Sequence, residues 1–180
     1  SSSRRPPSEQ RSFTASYVAL RGLKTFGMIE QRERIDKRTQ QVRMWLEKSS
    51  PEDTEDRVFR LRAHDLASAA PAEIQHAKNE LLETQRCDGG WAQRDDMESD
   101  AYATGSALVA LHQAGGLATA DPAYRRGLSF LISCQKGDGS WHVVSRSKPF
   151  QIYFESGYPH GKDQFISIAA AGWATTALVL

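Results

Sequence analysis

The sequence predicts an all-α protein of about seven helices. Two short runs nearly match each other: residues 85–91 read QRCDGGW and residues 135–141 read QKGDGSW, with equivalent positions fifty residues apart. Apolar residues recur at three- and four-residue spacing on both sides of each run, which is the period of a helix. No segment shows a convincing strand pattern. Together these observations indicate a repeated unit of helix, turn and helix.

Each of the two runs has the composition of a structured turn. Glycines admit the positive φ that ends a helix, and an aspartate can bond the N–H groups of the turn. Tryptophan offers a large apolar surface with one N–H, and glutamine can bond free groups at helix ends. We therefore assign structural roles to Gln85, Asp88, Gly89, Gly90, Trp91, Gln135, Asp138, Gly139 and Trp141.

The helices next to these runs are of two kinds. An amphipathic helix begins at Pro71, and a second one begins at Asp121 and Pro122. Small or apolar residues occupy nearly every face of residues 99–113, which predicts a helix buried on all sides. Residues 165–180 repeat this buried type.

Weaker patterns continue the alternation toward the N-terminus. They predict helices over residues 13–26, 33–48 and 52–67. The third of these has a strong start signal, with Ser50 as the N-cap and Pro51 in the first turn.

The QxxDGGW pattern between an amphipathic and a small-residue helix resembles the repeats of squalene and oxidosqualene cyclases and of the β subunits of protein prenyltransferases. The resemblance covers residues 71–180 well and 12–70 weakly. It implies an α/α toroid, in which an inner ring of helices lines an apolar cavity inside an outer ring. It also implies an apolar or isoprenoid-like ligand.

The catalytic signatures of these families match only in part. Cyclases that protonate an alkene resemble one another in a DxDDT run, whereas this chain reads Glu98-Ser99-Asp100 there, so only Asp100 matches. The prenyltransferase zinc ligands would require cysteine and histidine where Tyr102 and Ile166 stand. The CGEQ thioester run of the complement branch is also missing. The resemblance therefore implies no metal and no cofactor, and any reaction would be that of a cyclase-like isomerase or lyase.

A long segment between Trp141 and Asp163 is the main candidate for function. It has about twenty residues where the preceding repeat needs about eight. Such insertions are usually functional or disordered, and this one is rich in aromatic and charged residues, including Phe150. If the inner helices start at one end, as in a toroid, the segment lies near Asp100. We predict a polar cluster at a ligand entrance, formed by Asp100, Glu155, His160 and Asp163, with ligand contacts from Tyr102, Tyr153, Phe154 and Tyr158. For Asp100 and Asp163 we favour the simpler interpretation that they only cap helices, where the macrodipole favours acids; in that case the loop could simply plug the ring.

The length and composition bound the architecture. The 180 residues, 39% of them apolar, suffice for one domain, which we place at residues 12–180 after a linker or disordered tail at 1–11. Seven helices make only an arc of a toroid. We expect the missing part to come from the same, longer chain or from a second copy, as in large bacterial proteins that end in such repeats.

Charge and hydropathy exclude several partners. The formal net charge is +1, and the basic residues are interleaved with acids, so nucleic acid is not an expected partner. No apolar run is long enough to span a membrane and no signal peptide is present, which predicts a soluble protein and leaves export from a bacterium open.

Three functions remain. The first is binding of an apolar or isoprenoid-like ligand, and the second is a repeat scaffold for a protein partner. The third is a carbohydrate-active α/α toroid, which would need two carboxylates roughly 5 to 10 Å apart. Asp100 with Glu155 or Asp163 would supply them.

Overall fold

The computed structural model describes residues 5–8, 12–148 and 152–180, which form seven α-helices and no strand. The all-α prediction is therefore confirmed for these residues. Short 3-10 turns precede the second and the seventh helix. The helices are α1 (Ser12–Phe26), α2 (Arg32–Lys48), α3 (Thr54–Leu66), α4 (Pro71–Leu82), α5 (Ala101–Gln113), α6 (Pro122–Cys134) and α7 (Gln164–Val179).

The helices are arranged in two rows. Helices α1, α3, α5 and α7 pack side by side in that order. Helix α2 packs against α1 and α3, α4 against α3 and α5, and α6 against α5 and α7. Each helix of the second row thus covers the junction between two helices of the first. This alternation is the one that the sequence predicts, and closure into a toroid remains a prediction.

Helix α5 is the centre of the core. Every residue from 101 to 111 is buried, as the small and apolar residues on all its faces predict. A side chain at Gly105 would place its Cβ 2.8 Å from the backbone nitrogen of Ala174, so glycine allows α5 and α7 to approach closely. Gly127 of α6 similarly faces Leu108: a Cβ added at Gly127 would lie 2.8 Å from a side-chain carbon of Leu108.

Helix α7 differs from the prediction of a second helix buried all round. Its alanines at 170, 174 and 177 are buried in the core. The opposite side leaves Phe165, Ile168 and Val179 exposed, with 56% of the surface of Phe165 accessible. The composition is the same as that of α5, but among the described residues only one side of α7 is covered.

The start of α3 also differs from the prediction. The N-cap is Asp53, whose carboxylate accepts a hydrogen bond from the backbone of Asp56 at 3.0 Å, and the helix begins at Thr54. Ser50 and Pro51 precede the helix instead of opening it. Both residues are good start signals, but the carboxylate three residues later is an equally favoured cap and binds the first turn.

Two tryptophans anchor the two turns in the same way. Trp91 and Trp141 are buried, and each indole N–H donates to a carbonyl near the end of the preceding helix. Trp91 donates to Leu81 at 2.9 Å, and Trp141 donates to Leu131 at 2.8 Å. The tryptophans therefore satisfy helix-end carbonyls while filling the space between helices.

The glutamines of the two turns also act alike. Gln85 donates to the carbonyl of Gly89, and Gln135 donates to that of Gly139, both at 2.9 Å. Gly89 has φ +86° and Gly139 has φ +82°, a backbone region that favours glycine. Gln85 additionally donates to the carbonyl of Ala123, at 2.8 Å, and thereby joins its turn to α6.

The aspartates complete the turns. Asp88 accepts from the backbone N–H of Gly90 at 2.9 Å, and Asp138 accepts from that of Ser140 at 3.0 Å. These bonds within the turn are the ones that short Asx turns use. All the residues assigned structural roles therefore lie in the turns or directly bind them.

The predicted tail at residues 1–11 falls largely outside the described residues. Its described part, residues 5–8, contacts the domain: the carbonyl of Pro6 accepts from the hydroxyl of Ser147 at 2.8 Å. Within the described ranges, no helix is both long and apolar enough to cross a membrane.

Candidate functional site

A buried polar cluster lies where α3 and α5 begin. Asp100 caps α5 by accepting from the backbone N–H of Ala103 at 2.9 Å, as Asp53 caps α3. The hydroxyl of Thr54 donates to the carbonyl of Ala92 at 2.6 Å and ties the start of α3 to the chain that leads into α5. Two neighbouring helices therefore present acids at adjacent N-terminal ends.

An arginine and a glutamine connect the two caps. The side-chain amide of Gln93 donates to Asp100 at 2.8 Å, and its oxygen accepts from Nε of Arg146 at 2.7 Å. The Nη2 atom of Arg146 lies 3.7 Å from the carboxylate of Asp53. Burial raises the pKa of Asp100, and the bonds from Ala103 and Gln93 partly offset that effect.

Glu55 is a buried acid of this cluster whose hydrogen-bond partners lie on other helices. Its side chain accepts from the hydroxyl of Tyr102 at 3.0 Å and from that of Thr14 at 3.2 Å. Tyr102 in turn lies 3.1 Å from the hydroxyl of Ser8. Glu55 belongs to α3, Tyr102 to α5 and Thr14 to α1, so three adjacent helices converge on one carboxyl group.

Burial changes the protonation of this carboxyl group. Only 3% of Glu55 is exposed, and this burial raises its pKa to about 7 although the bonds from Tyr102, Ser8 and Thr14 oppose the shift. Burial and the charge of Glu55 raise the pKa of Tyr102 above its usual value, so the phenol stays a neutral donor. Near neutral pH the site therefore contains a carboxyl group that is about half protonated.

The N-terminal segment closes this site. Pro7 lines a small gap together with Glu55, Tyr102 and Arg146, and the gap has no room for a free water molecule. Ser8 also contacts Tyr102, so residues 7 and 8 lie against this gap.

Asp163 is at the start of α7 but does not cap it. One carboxylate oxygen accepts from the backbone N–H of Ser145 at 2.9 Å, and the other lies 2.9 Å from Nε2 of His142. The expectation that both Asp100 and Asp163 cap helices is therefore wrong for Asp163, because the long loop occupies its carboxylate. Burial favours the neutral acid, but the bonds from His142 and Ser145 outweigh it and hold the pKa of Asp163 below its usual value.

His160 belongs to the same loop arrangement. Its Nε2 lies 2.7 Å from the hydroxyl of Ser140, which donates to Asp138 at 2.7 Å. Its ring stacks on that of His142 with centroids 4.7 Å apart. In the described part of the chain, no group of three or more His, Cys, Asp or Glu side chains is placed to hold a metal ion.

Glu155 lies in a separate, exposed turn. It accepts from the hydroxyl of Tyr153 at 2.6 Å and from the backbone N–H of Gly157 at 2.9 Å, and these bonds lower its pKa. Gln164 donates to the carbonyl of Phe154 at 2.8 Å and holds this turn beside α7. Phe150, also considered as a loop aromatic, lies outside the described residues.

The residues predicted as ligand contacts are in different surroundings. Tyr102 is buried against Glu55, whereas Tyr153 and Phe154 are 56% and 63% exposed. Tyr158 is half-buried and meets the ring of His160 edge-on, with centroids 6.3 Å apart.

The structure brings Asp100, Asp163 and His160 into one network. Ser145 binds Asp163, and the next residue, Arg146, reaches Asp100 through Gln93. Among the described residues no hydrogen bond joins Glu155 to this network; its carboxylate accepts from Tyr153, whose hydroxyl accepts from Gln164.

The sequence analysis missed Glu55, Gln93 and Arg146. The available signal was the acidic start of α3, where residues 53–56 read DTED at the beginning of a helix of the first row. Acids are common in the first turn of a helix because the macrodipole favours negative charge there. When neighbouring helices cover both sides of the helix, one of these acids must be buried. The partner residues lie far away in sequence and leave no local signal.

The comparisons with known proteins give one distant similarity and no match to a family model. The chain is 35% identical over 86 residues to a drimenyl diphosphate synthase of Streptantibioticus cattleyicolor. The match covers 48% of this chain and 15% of that synthase, so the chain spans a small part of its relative. With the all-helical fold, this similarity supports a terpenoid-cyclase-like helical protein.

Proposed function

We propose that this chain forms part of a terpenoid-cyclase-like domain that binds an isoprenoid ligand, with Glu55 as the acid that protonates it. The supporting observation is the buried carboxyl group of Glu55 at the junction of three helices, with a pKa of about 7. A general acid works best when its pKa lies near the operating pH, because the protonated form is then both populated and able to donate.

The neighbours of Glu55 suit this role. In the proposed step, the O–H bond of Glu55 breaks, a C–H bond forms at one carbon of a ligand double bond, and the other carbon becomes a cation. The electron pair of the O–H bond stays on the carboxylate. The hydroxyls of Tyr102 and Thr14, at 3.0 and 3.2 Å, then stabilise the carboxylate as donors.

Access to the acid requires the N-terminal segment to move. Pro7 and Ser8 cover the gap above Glu55 and Tyr102, and the gap itself is too small for an isoprenoid. Displacement of residues 6–8 would extend the gap into a pocket. The proposal therefore includes opening of this segment when the ligand binds.

The first experiment is native mass spectrometry of the chain with farnesyl diphosphate and with squalene, followed by gas chromatography of extracted products. We expect a ligand adduct with the wild type, with Glu55→Gln and with Glu98→Gln. Cyclised product is expected only from the wild type and Glu98→Gln, because Glu98 is exposed and serves as the matched control. Product formation by Glu55→Gln at the wild-type rate, or no adduct with either ligand, would refute the proposal.

A scaffold that binds a protein partner is the second candidate, and exposed apolar side chains favour it. Ile152, Phe154 and Phe165 are 93%, 63% and 56% exposed, and Gln164 holds the carbonyl of Phe154 beside α7. In a scaffold, Phe154→Ser with Phe165→Ser should abolish partner binding while Glu55→Gln leaves it unchanged. An isoprenoid cyclase should instead lose its cyclised product on Glu55→Gln and keep it in the double variant Phe154→Ser with Phe165→Ser.

A further inference from the structure

A second cavity lies between α1 and α2, and it shares no residue with the gap at Glu55. Its volume is about 450 Å³, within the range of small-molecule sites. One face of α1, at residues 16, 19, 20 and 23, forms one wall. Gln31 and the facing side of α2, from residue 34 to residue 45, form the other. We call this cavity the α1–α2 groove.

The floor of the α1–α2 groove is apolar. It is formed by Leu20 of α1, which is buried, and by Ile35, Val42 and Trp45 of α2. Trp45 is fixed by packing against Phe13, with ring centroids 4.7 Å apart. The groove therefore offers an apolar surface that is held in place before any ligand binds.

Charge along the groove has one sign. Among the described residues, Arg34 and Arg38 are the charged residues that line it, and none of its lining residues there is acidic. The two arginines are four residues apart on α2 and thus lie on the same face, one turn from each other. Arg38 donates to Gln41 at 3.0 Å, and Arg34 forms no hydrogen bond or ion pair within the described residues.

The neighbouring cavity shows that this charge is not common to the whole surface of α2. A volume of about 390 Å³ on the other side of Leu23 and Ile35 is lined by Asp36 as well as by basic residues such as Arg32. An anion bound there would lie near both positively and negatively charged side chains. In the α1–α2 groove the charged groups that the described residues offer are guanidinium groups, which bind carboxylates and phosphates with two parallel hydrogen bonds.

We propose that the α1–α2 groove binds a single-chain amphiphile with an anionic head, such as a fatty carboxylate or a prenyl phosphate. The tail lies on the floor formed by Leu20, Ile35, Val42 and Trp45. The head lies at Arg34 and Arg38. This inference does not depend on the proposed role of Glu55, because the two sites are formed by different residues.

Isothermal titration with dodecanoate and with farnesyl phosphate tests the proposal and distinguishes the two sources of an anionic head. We expect saturable binding of at least one of them, and weaker binding of dodecyltrimethylammonium, which has the opposite charge. The double variant Arg34→Gln with Arg38→Gln should weaken anion binding about tenfold. The control Arg32→Gln with Lys37→Gln removes the same charge from α2 outside the groove and should change affinity by about twofold or less.

A second pair of variants tests the position of the tail. Ala19 lies exposed on the wall of α1, and Ala19→Trp should block the groove without removing core contacts. Ala15→Trp adds the same side chain one turn earlier on α1, outside the lining, and should bind as the wild type does. Circular dichroism melts verify that each variant is folded. No saturable binding of either anion, equal binding of the cation, or equal losses in both pairs of variants would overturn the proposal.

Discussion

Replacing Glu55 by glutamine should remove a pH dependence of stability that the wild-type chain has between about pH 4.5 and 7. In the unfolded chain the carboxyl group titrates near 4.5, whereas burial raises its folded pKa to about 7. Between these values the folded protein keeps a proton that the unfolded chain has lost. The free energy of unfolding therefore falls as the pH rises through this range, and below pH 4.5 the loss is absent.

The size of the effect follows from the two pKa values. A difference between about 7 and 4.5, at about 1.4 kcal/mol for each pH unit, corresponds to about 3 kcal/mol. No reduction for solvent screening applies, because 3% of Glu55 is exposed. Glutamine has nearly the same shape; its oxygen can accept from Tyr102 or Thr14 and its NH2 group can donate to the other hydroxyl, but it never ionises.

The assay is urea unfolding, followed by circular dichroism, of wild type, Glu55→Gln and Glu98→Gln from pH 4.5 to 8. The quantity of interest is the difference between variant and wild type, because titration of other groups such as His64 cancels in it. This difference should shift in favour of Glu55→Gln by about 3 kcal/mol over the range. Glu98→Gln, which replaces an exposed glutamate of the same chain, is the control. A flat difference for Glu55→Gln would refute the argument that burial keeps this carboxyl group protonated.

Three further predictions concern the turns and the loop, and urea unfolding checks each. Gly89→Ala should cost about 2 to 3 kcal/mol and Gly139→Ala about 1 kcal/mol. Both glycines have a positive φ, but only a Cβ at Gly89 would lie 2.6 Å from the carbonyl oxygen of Arg126. Equal costs would contradict this prediction. Trp91→Phe should cost about 2 to 4 kcal/mol through a cavity and a lost hydrogen bond, and a cost below about 1 kcal/mol would contradict the observed burial. Asp163→Asn should cost about 1 to 3 kcal/mol at pH 7. Because the folded pKa of Asp163 is depressed, that cost should shrink as the pH falls below about 4, and an unchanged cost at pH 3 would contradict the ionised form.

The helices were predictable because their signals are local. Pro71, Asp121 and Pro122 mark helix starts by their own backbone chemistry, and the composition of α5 alone indicates burial on all sides. The start of α3 was misplaced because Ser50 and Asp53 are both favoured caps, and the choice between them depends on which one reaches the first turn.

The candidate site was predictable only where its contacts are short in sequence. Asp100 bonds a backbone N–H three residues later, so its cap follows from the local pattern. Glu55 and Tyr102 are 47 residues apart, and their pairing depends on the register between α3 and α5. His142 and Asp163 are 21 positions apart and meet across a loop whose path the sequence does not specify. Burial of Glu55, and hence its pKa, follows from this packing and not from its neighbours in the chain.

The link between Gln93 and Arg146 has a consequence for the order of folding. It joins residues 53 positions apart, and closing so long a loop costs conformational entropy that is recovered only when the remaining contacts form. During synthesis, α3 and α5 leave the ribosome before Arg146 does. The acids at the starts of these two helices therefore gain the nearby positive charge of Arg146 only when the last third of the chain packs against them. This site should therefore form late, whereas the two helix turns can form early from local contacts.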